Sequence, residues 1–193
     1  MKQFEGISAS RGICIGRVFQ FIRQDLIIEE RENIDPDAEI ARLDKAIEIA
    51  KQQIDSIYQK ALQEASDSDA AIFQAHRMIL VDPELLGEAK KKITSNGKSA
   101  ELAMQETGQS FADIMAAMSD EYFAARATDI LDVSNRVLRI LIGVAESPTA
   151  DLKEPSVIVA DDLTASDTVM LDKKLVIGFC TAKGSATSHP AIL

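Results

Sequence analysis

The chain has 193 residues, of which 46% are apolar and 5% aromatic, and its formal net charge at pH 7 is −10. The apolar content excludes wholesale disorder, and the acidic balance argues against a nucleic-acid partner, which would require a basic surface. The sequence has neither an apolar signal segment nor a stretch of about 18 uninterrupted apolar residues, so we expect a cytoplasmic protein that does not bind a membrane. Its two cysteines, Cys14 and Cys180, match no disulfide or metal-ligand spacing, and each is expected to be a small core residue.

The N-terminal segment, residues 4–21, is rich in isoleucine and punctuated by Gly6, Gly12 and Gly16. Apolar runs interrupted by glycine are typical of β-structure, so this segment predicts a short strand, a glycine turn and another strand. The charged and irregular residues 22–35 then predict a connection that leaves the sheet.

Residues 35–143 have the pattern of an antiparallel helical bundle. Asp35-Pro36 is a helix start, and apolar or small residues follow at alternating intervals of three and four. A second helix is predicted over 70–81, and the same cap-and-proline signal at Asp82-Pro83 begins a third, which stops at Asn96-Gly97. Two further helices are predicted, beginning near Ser99 and Glu121. The last of them is expected to direct these side chains inward: Phe123, Ile130, Val133, Val137, Leu138 and Leu141.

After residue 148 the pattern changes to an apolar run at 157–160, a capped helical segment at 161–171 and a second apolar run at 175–179. This order predicts a parallel strand–helix–strand unit covered on both faces, and we expect the N-terminal strand to join its sheet. The sequence therefore predicts two domains: a discontinuous α/β domain formed by 1–22 and 146–193, and a helical domain formed by 35–143.

The C-terminal loop carries His189, one of only two histidines in the chain. Gly184 permits a tight turn there, and Ser185, Thr187 and Ser188 supply hydroxyl groups beside a predicted helix start at Pro190. A neutral imidazole beside an anion-binding loop is a candidate phosphoryl acceptor. On these residues alone, a histidine that caps a helix or fills a crevice is the more common alternative.

Several ordered motifs resemble the N-terminal part of Enzyme I, the phosphoenolpyruvate-protein phosphotransferase of the bacterial sugar phosphotransferase system, along the whole chain. They are Gly6-Ile7-Ser8-Ala9-Ser10-Arg11-Gly12-Ile13, Ile72-Phe73-Gln74-Ala75-His76, Asp82-Pro83-Glu84-Leu85, Asp120-Glu121-Tyr122 with Arg126 and Asp129, Ala160-Asp161-Asp162-Leu163-Thr164 with Thr168, and Gly184 to His189. The resemblance implies a two-part fold, in which an antiparallel helical bundle that docks the carrier protein HPr is inserted into a small α/β phosphohistidine domain.

The resemblance also implies roles for individual residues. His189 would be phosphorylated at Nε2 by phosphoenolpyruvate and pass the group to a histidine of HPr, with Thr168 orienting the ring. Gly184, Ser185, Thr187 and Ser188 would form the phosphate loop. The implied carrier-docking residues are Asp67, Asp69, Met78, Ile79, Asp82, Glu84, Tyr122 and Arg126. His76, which lies mid-helix, is expected to be structural or peripheral to docking.

The chain departs from the family pattern at two loop positions and in its length. Ala186 stands where the family usually has an arginine, whose guanidinium would bind phosphate through two hydrogen bonds. Lys183 is the candidate to bind phosphate in its place. Pro190 stands where the family commonly has threonine. We expect the α/β domain to be incomplete. A C-terminal domain outside the chain is expected to bind phosphoenolpyruvate and Mg²⁺ and to form the homodimer. We expect neither a metal nor a cofactor in the chain itself.

Two alternatives stay open. Instead of phosphoryl transfer through His189, the chain would be an HPr-docking interaction module without competent chemistry, or an Enzyme I-like domain of a multiphosphoryl protein or of a nitrogen-regulatory branch.

Overall fold

A computed structural model describes residues 5–10, 12–23, 26–31, 34–64, 67–144 and 152–184, without the side chains of residues 64, 67–69, 121, 122, 124 and 125. The chain divides into two units, each with its own contacts. One unit combines Met1–Gln24 with Ser147–Leu193 and contains a sheet, and the other, Asp25–Glu146, is helical.

In the described part of the helical unit, the structure has five helices. They are α1 (Pro36–Glu64), α2 (Asp67–Leu80), α3 (Pro83–Asn96), α4 (Ala100–Ala116) and α5 (Glu121–Ile142). The predicted start of α3 is confirmed, because the Asp82 side chain accepts hydrogen bonds from the backbone N–H groups of Glu84 and Leu85. Its predicted end is also confirmed, since Gly97 takes a left-handed conformation with φ 61° and its N–H bonds the Lys92 carbonyl.

The core of the helical unit consists of the apolar residues that recur at three- and four-residue intervals. Each large aliphatic or aromatic side chain buried there stabilises the fold by about 1.5–3 kcal/mol relative to an exposed one. The fully buried members include Leu43, Ile54, Phe73, Leu80, Leu85, Ile93, Met104, Val133, Val137 and Leu138. One prediction for α5 is wrong: Phe123 is exposed, although its spacing places it on the same side of α5 as Ala127 and Ile130.

The described residues of the other unit form a three-stranded parallel sheet. Its strands are β1 (Arg17–Phe21), β2 (Ser156–Ala160) and β3 (Val176–Thr181), and the short helix α6 (Ala165–Met170) connects β2 to β3. The strand order is β1-β2-β3, with parallel pairing at both steps, as the apolar runs predicted. The predicted joining of the N-terminal strand is confirmed by the pairs from Arg17↔Ser156 to Phe21↔Ala160.

The core of this unit lies on one face of the sheet. Phe21, Ile158 and Ala160 are buried there against Leu152 and Leu163. On the other face, the described residues leave Val18 and Val159 exposed, so the prediction of a sheet covered on both faces is wrong for this part of the chain.

Two further predictions are corrected by the structure. Residues 5–10 and 12–16 form no strand, because Ile7, Ile13 and Ile15 are more than four-fifths exposed and the described residues offer them no partner strand. Cys14 and Cys180 are exposed rather than buried. The Sγ atom of Cys14 lies so close to Gly178 that a Cβ at Gly178 would be 2.6 Å from it, so the open face of β3 contacts a cysteine instead of an apolar layer.

Candidate functional site

The loop that follows β3 is anchored to the end of β2 over its first residues. The Ala182 N–H donates to the Ala160 carbonyl at 3.1 Å, and the Lys183 N–H donates to the Asp161 carbonyl at 2.8 Å. The loop therefore leaves the sheet at the carboxyl ends of its parallel strands. Open parallel sheets bind their ligands beyond that edge.

Gly184 is the last described residue of this loop, and its φ of 105° is one that residues with a side chain rarely adopt. The backbone conformation at this position therefore favours glycine, as the predicted tight turn requires. His189, Ser185, Thr187 and Ser188 lie outside the described residues, so the phosphohistidine and phosphate-loop assignments stay predictions.

Helix α6 begins at the same edge and is fixed by a capping box. The Thr164 hydroxyl accepts from the Asp167 N–H at 3.2 Å, while the Asp167 carboxylate accepts from the Thr164 N–H at 2.9 Å. Thr168 lies one turn later, buried, and its hydroxyl donates to the Thr164 carbonyl at 2.9 Å. Because the hydroxyl proton is used in this bond, the Thr168 oxygen is left as an acceptor that can take a hydrogen bond from the N–H of an imidazole ring.

Arg23 connects the end of β1 to this helix. It follows Phe21, the last residue of β1, by two positions, and its guanidinium pairs with the Asp167 carboxylate. Asp167 is thus bonded both to the cap of α6 and to a cation from the neighbouring strand end. Residues from the carboxyl ends of all three strands converge at this edge, and Thr168 was the only α6 residue that the sequence assigned to it.

Lys183 is a basic residue in the described part of the loop, and its ammonium group forms a salt bridge. Its Nζ lies 2.7 Å from the Asp161 carboxylate, and this hydrogen bond and the carboxylate charge raise the pKa of Lys183. The ammonium is exposed, so the pair is readily exchanged for another anion. A role for Lys183 in place of the family arginine at Ala186 stays a prediction.

In the helical unit, two predicted docking residues on α2, Met78 and Ile79, differ in their exposure. Met78 is 72% exposed, whereas Ile79 packs against the cluster of Ala112, Ala127 and Ile130 on α4 and α5. The last turn of α2 therefore lies beside the C-terminal part of α4 and the first turns of α5.

Among the described residues, four exposed apolar residues on or next to α2, α4 and α5 were not assigned to docking by the sequence. They are Val81, Ile114, Met118 and Phe123, and with Met78 we call them the apolar patch. Ile114 and Met118 are four residues apart, but Met118 lies beyond Ala116, the last residue of α4, so spacing alone does not place both on one side of the helix.

The acidic docking residues differ in what the structure shows of them. Glu84 is exposed, and Asp82 serves at the same time as the N-cap of α3. Asp67, Asp69 and Tyr122 lie in α2 and α5, but their side chains are outside the described part of the chain. Their docking roles therefore stay predictions.

His76 is 1% exposed in the core between α2 and α5. Its Nε2 lies 3.3 Å from Asp129 Oδ1, a partner 53 residues away that no local spacing indicates. Asp129 also accepts a hydrogen bond from Arg126 at 2.8 Å, so the predicted docking residue Arg126 is connected to the buried histidine.

A second buried ionic cluster lies at the start of α1 and α4. The Glu39 and Glu101 carboxylates bind the guanidinium groups of Arg31 and Arg42, and Glu39 also accepts from the Ala100 N–H at 2.8 Å. Burial opposes the charge of Glu101, but hydrogen bonds and the positive charge of the arginines outweigh it and lower its pKa. This cluster holds the irregular segment 26–31 on the bundle, and the sequence analysis missed it.

The described residues contain no group of three or more His, Cys, Asp or Glu side chains that could hold a metal ion. Over the same residues, none of the helices combines the length and apolar character needed to cross a bilayer.

Comparison with known families gives two matches along the chain. The family described as PEP-utilising enzyme, N-terminal, matches residues 5–126, and the PEP-utilising enzyme mobile domain matches residues 152–193. The chain belongs to the PEP-utilising enzyme family. The resemblance to Enzyme I that the sequence motifs indicated is confirmed.

Relatives include the phosphoenolpyruvate-protein phosphotransferases of Geobacillus stearothermophilus, 44% identical over 192 residues, and Bacillus subtilis (strain 168), 40% identical over 193 residues. Both alignments cover 100% of this chain but only 33% and 34% of the relative, so the chain spans about a third of their length.

Two solved structures are similar as well. A solution structure of Enzyme I is 38% identical in sequence and has a TM-score of 0.78. The match covers 97% of this chain and 76% of the chain in that structure. A structure of the N-terminal domain of the nitrogen-branch Enzyme I is 28% identical with a TM-score of 0.68, at 96% and 76% coverage.

Proposed function

We propose that the chain is the N-terminal part of a phosphoenolpyruvate-protein phosphotransferase of the sugar phosphotransferase system. The observation that carries the proposal is the similarity to such enzymes over 100% of the chain, which includes the mobile-domain match that contains His189. In this proposal the α/β unit is a phosphohistidine domain that carries the group, and the helical unit docks an HPr-type carrier.

The proposed chemistry is two successive transfers at His189. A lone pair of Nε2 forms an N–P bond as the bond between phosphorus and the enol oxygen of phosphoenolpyruvate breaks, and the released enolate takes up a proton to become pyruvate. The imidazole of the carrier then attacks phosphorus, and the N–P bond to His189 breaks. Magnesium is expected in the whole enzyme, but no described residues form a site for it, and neither step is derived through a metal.

Thr168 suits the role of orienting the imidazole. Because its hydroxyl proton is directed to the Thr164 carbonyl, its oxygen can accept a hydrogen bond from Nδ1–H of His189. That bond would fix the tautomer in which Nε2 carries the free lone pair. The capping box and the Arg23–Asp167 pair hold α6 in place for this purpose.

The apolar patch suits the docking of a protein. Exposed apolar residues mark interaction surfaces where they lie together, and the acidic residues Asp82 and Glu84 follow Val81 of this patch in the sequence. Together with the net charge of −10, they favour a carrier with a basic rim around an apolar centre.

The alternative of a nitrogen-regulatory or multiphosphoryl branch has less support. The similar nitrogen-branch structure is 28% identical, compared with 38% for Enzyme I and 40–44% for the curated relatives cited above. An interaction module without chemistry predicts the same docking surface, and the two are separated by phosphate uptake.

The test is the incubation of the chain with an HPr-type carrier that has already been phosphorylated, followed by measurement of acid-labile phosphate. Phosphotransfer predicts about one phosphate per chain, lost in His189→Ala but retained in the matched control Cys180→Ser, an exposed residue near the same loop. Nuclear magnetic resonance titration with the same carrier measures binding separately. Binding without phosphate uptake would select the interaction module, and absence of both would refute the proposal.

A further inference from the structure

The backbone of Lys183 is fixed at the end of the sheet independently of its side chain. Its N–H donates to the Asp161 carbonyl at 2.8 Å, and its carbonyl accepts from the Thr181 hydroxyl at 2.6 Å. The N–H of the preceding residue, Ala182, donates to the Ala160 carbonyl at 3.1 Å. These bonds keep the start of the loop beside the end of β2, whatever the Lys183 side chain contacts.

The Lys183 side chain makes a separate, exposed contact. Its Nζ lies 2.7 Å from Asp161 Oδ2, and the two side chains are 67% and 70% exposed. An exposed ion pair of this kind changes an equilibrium constant by at most about fivefold. Arg23, another cation at this edge, differs because its partner Asp167 is 11% exposed and belongs to the capping box of α6. Of these two cations, Lys183 is therefore the one that can change its partner with little loss of stability.

The Asp161–Lys183 pair lies on the connection that leads to Thr168. Asp161 follows the last residue of β2, and Thr164, the cap of α6, comes three residues later. The Thr168 hydroxyl donates to the Thr164 carbonyl, and its oxygen is the proposed acceptor for the His189 ring. In the proposed function, the phosphoryl group is therefore carried at the edge where Lys183 is held.

We propose that Lys183 leaves the Asp161 carboxylate to bind the phosphoryl group when His189 carries it, and returns to Asp161 when the group passes to the carrier. The inference rests on the proposed function and adds to it a residue, Asp161, that acts on the reaction through Lys183. No bond to phosphorus changes in this exchange, because only the partner of the ammonium group changes. Asp161 is thus a positioning residue, which favours the chain without phosphate.

The charges of the two anions decide the direction of the exchange. A phosphoryl group carries about two negative charges and has three acceptor oxygens, whereas the Asp161 carboxylate carries one charge. The ammonium group of Lys183 therefore prefers the phosphoryl group. Asp161 offsets part of this preference, because its bond to Lys183 must be lost first. A chain without that carboxylate should hold phosphate more firmly, and a chain without the ammonium group should hold it less firmly.

Asp162 is the matched control for Asp161. It is the next residue and carries the same charge, but its side chain accepts from the Leu163 N–H at 2.9 Å. The hydrogen bond to Asp161 is the largest cause of the raised pKa of Lys183, and the charge of Asp162 is the smallest. A general repulsion between carboxylates and phosphate would act through both aspartates, whereas the exchange of Lys183 acts through Asp161.

The experiment measures the equilibrium between phosphorylated chain and phosphorylated carrier. The parent chain is compared with Asp161→Asn, Asp162→Asn, Lys183→Met, Lys183→Arg and the double variant Asp161→Asn/Lys183→Met. Each chain is incubated with an HPr-type carrier that has already been phosphorylated, and both phosphoproteins are quantified by phosphorus nuclear magnetic resonance. Thermal unfolding checks the fold of each variant, which should match the parent because the exchanged side chains are exposed and the backbone bonds remain.

We expect Asp161→Asn to shift the equilibrium about threefold toward the phosphorylated chain, and Lys183→Met to shift it about fivefold toward the carrier. The double variant should match Lys183→Met, because Asp161 has no effect without the ammonium group. Asp162→Asn should stay within about 1.5-fold of the parent, since its exposed charge is screened by solvent and salt. Lys183→Arg, which retains the positive charge, should stay within about twofold.

Three results would overturn the inference. They are an unchanged equilibrium in Asp161→Asn, an unchanged equilibrium in Lys183→Met, and an equal effect of Asp161→Asn with and without Lys183. The last result would indicate a general repulsion of phosphate instead of an exchange. Absence of phosphate uptake by the parent chain is a distinct outcome, which would refute the proposed function and this inference with it.

Discussion

Met78→Ala tests the docking surface at its most exposed apolar residue. Full burial of a methionine side chain is worth about 1.5–3 kcal/mol, and 72% of Met78 is available to a partner, so its burial contributes about 1 to 2 kcal/mol. We therefore expect the dissociation constant for an HPr-type carrier to rise about 5- to 30-fold. Because little of Met78 is buried in the free chain, the free energy of unfolding should change by less than about 0.5 kcal/mol.

Ile27→Ala is the matched control for Met78→Ala. Ile27 is 79% exposed in the same helical unit, but its segment is held by Arg31 on Glu101, near the start of α4. Ile79, the neighbour of Met78, packs against Ala112, which lies eleven residues after Glu101, roughly 16 Å along the helix. Calorimetric titration should show normal affinity for Ile27→Ala, and equal affinities for the two variants would refute the assignment of the patch.

Three further predictions concern stability, each measured by chemical denaturation. Thr164→Ala removes the capping box with Asp167 and should lower the unfolding free energy of the α/β unit by about 1 kcal/mol, whereas Thr164→Ser should retain it; equal values would contradict the cap. Gly97→Ala, at φ 61°, should cost about 1 kcal/mol, while Gly87→Ala, inside α3 with open space around it, should stabilise by up to about 1 kcal/mol. The pKa of Glu101 is lower in the folded than in the unfolded chain, so its stabilisation is complete above the unfolded pKa and is lost as the pH falls through the folded pKa; Glu101→Gln should reduce this loss of stability at low pH, and an unchanged loss would contradict the pairing.

Local signals predicted most of the secondary structure because each acts over a few residues. Asp82 and Pro83 begin α3, Gly97 ends it, and the apolar runs 157–160 and 175–179 lie within parallel strands or beside their ends, as expected. A cap, a proline or an apolar period is complete within one segment of sequence. These predictions therefore needed no knowledge of the rest of the fold.

The predictions that failed depended on partners distant in sequence. Isoleucine and glycine spacing gave Ile7 the appearance of a strand residue, but a strand needs a neighbour to pair with, and none is found among the described residues. The apolar spacing of α5 predicted that Phe123 points inward, but this residue in the first turn of the helix is exposed. The periodicity of one helix does not show where its neighbours end.

The buried ionic contacts were beyond the reach of the sequence for the same reason. His76 and Asp129 are 53 residues apart, and Glu39 accepts from the N–H of Ala100, 61 residues later. Thr168 and Arg126 were found only through the family motifs, since a lone threonine or arginine on a helix has no distinctive spacing. The structure adds what holds each of them: the Thr164 carbonyl for the first and Asp129 for the second.

The position of the phosphoryl group tests the central claim most directly, because the chain has only two histidines. After incubation with a phosphorylated HPr-type carrier, the chain is digested under alkaline conditions, which preserve phosphohistidine, and the modified peptide is fragmented in a mass spectrometer. We predict that the phosphate lies on His189 and that His76, which is 1% exposed, carries none. Phosphate on His76, or on a hydroxyl of the loop instead of His189, would contradict the account.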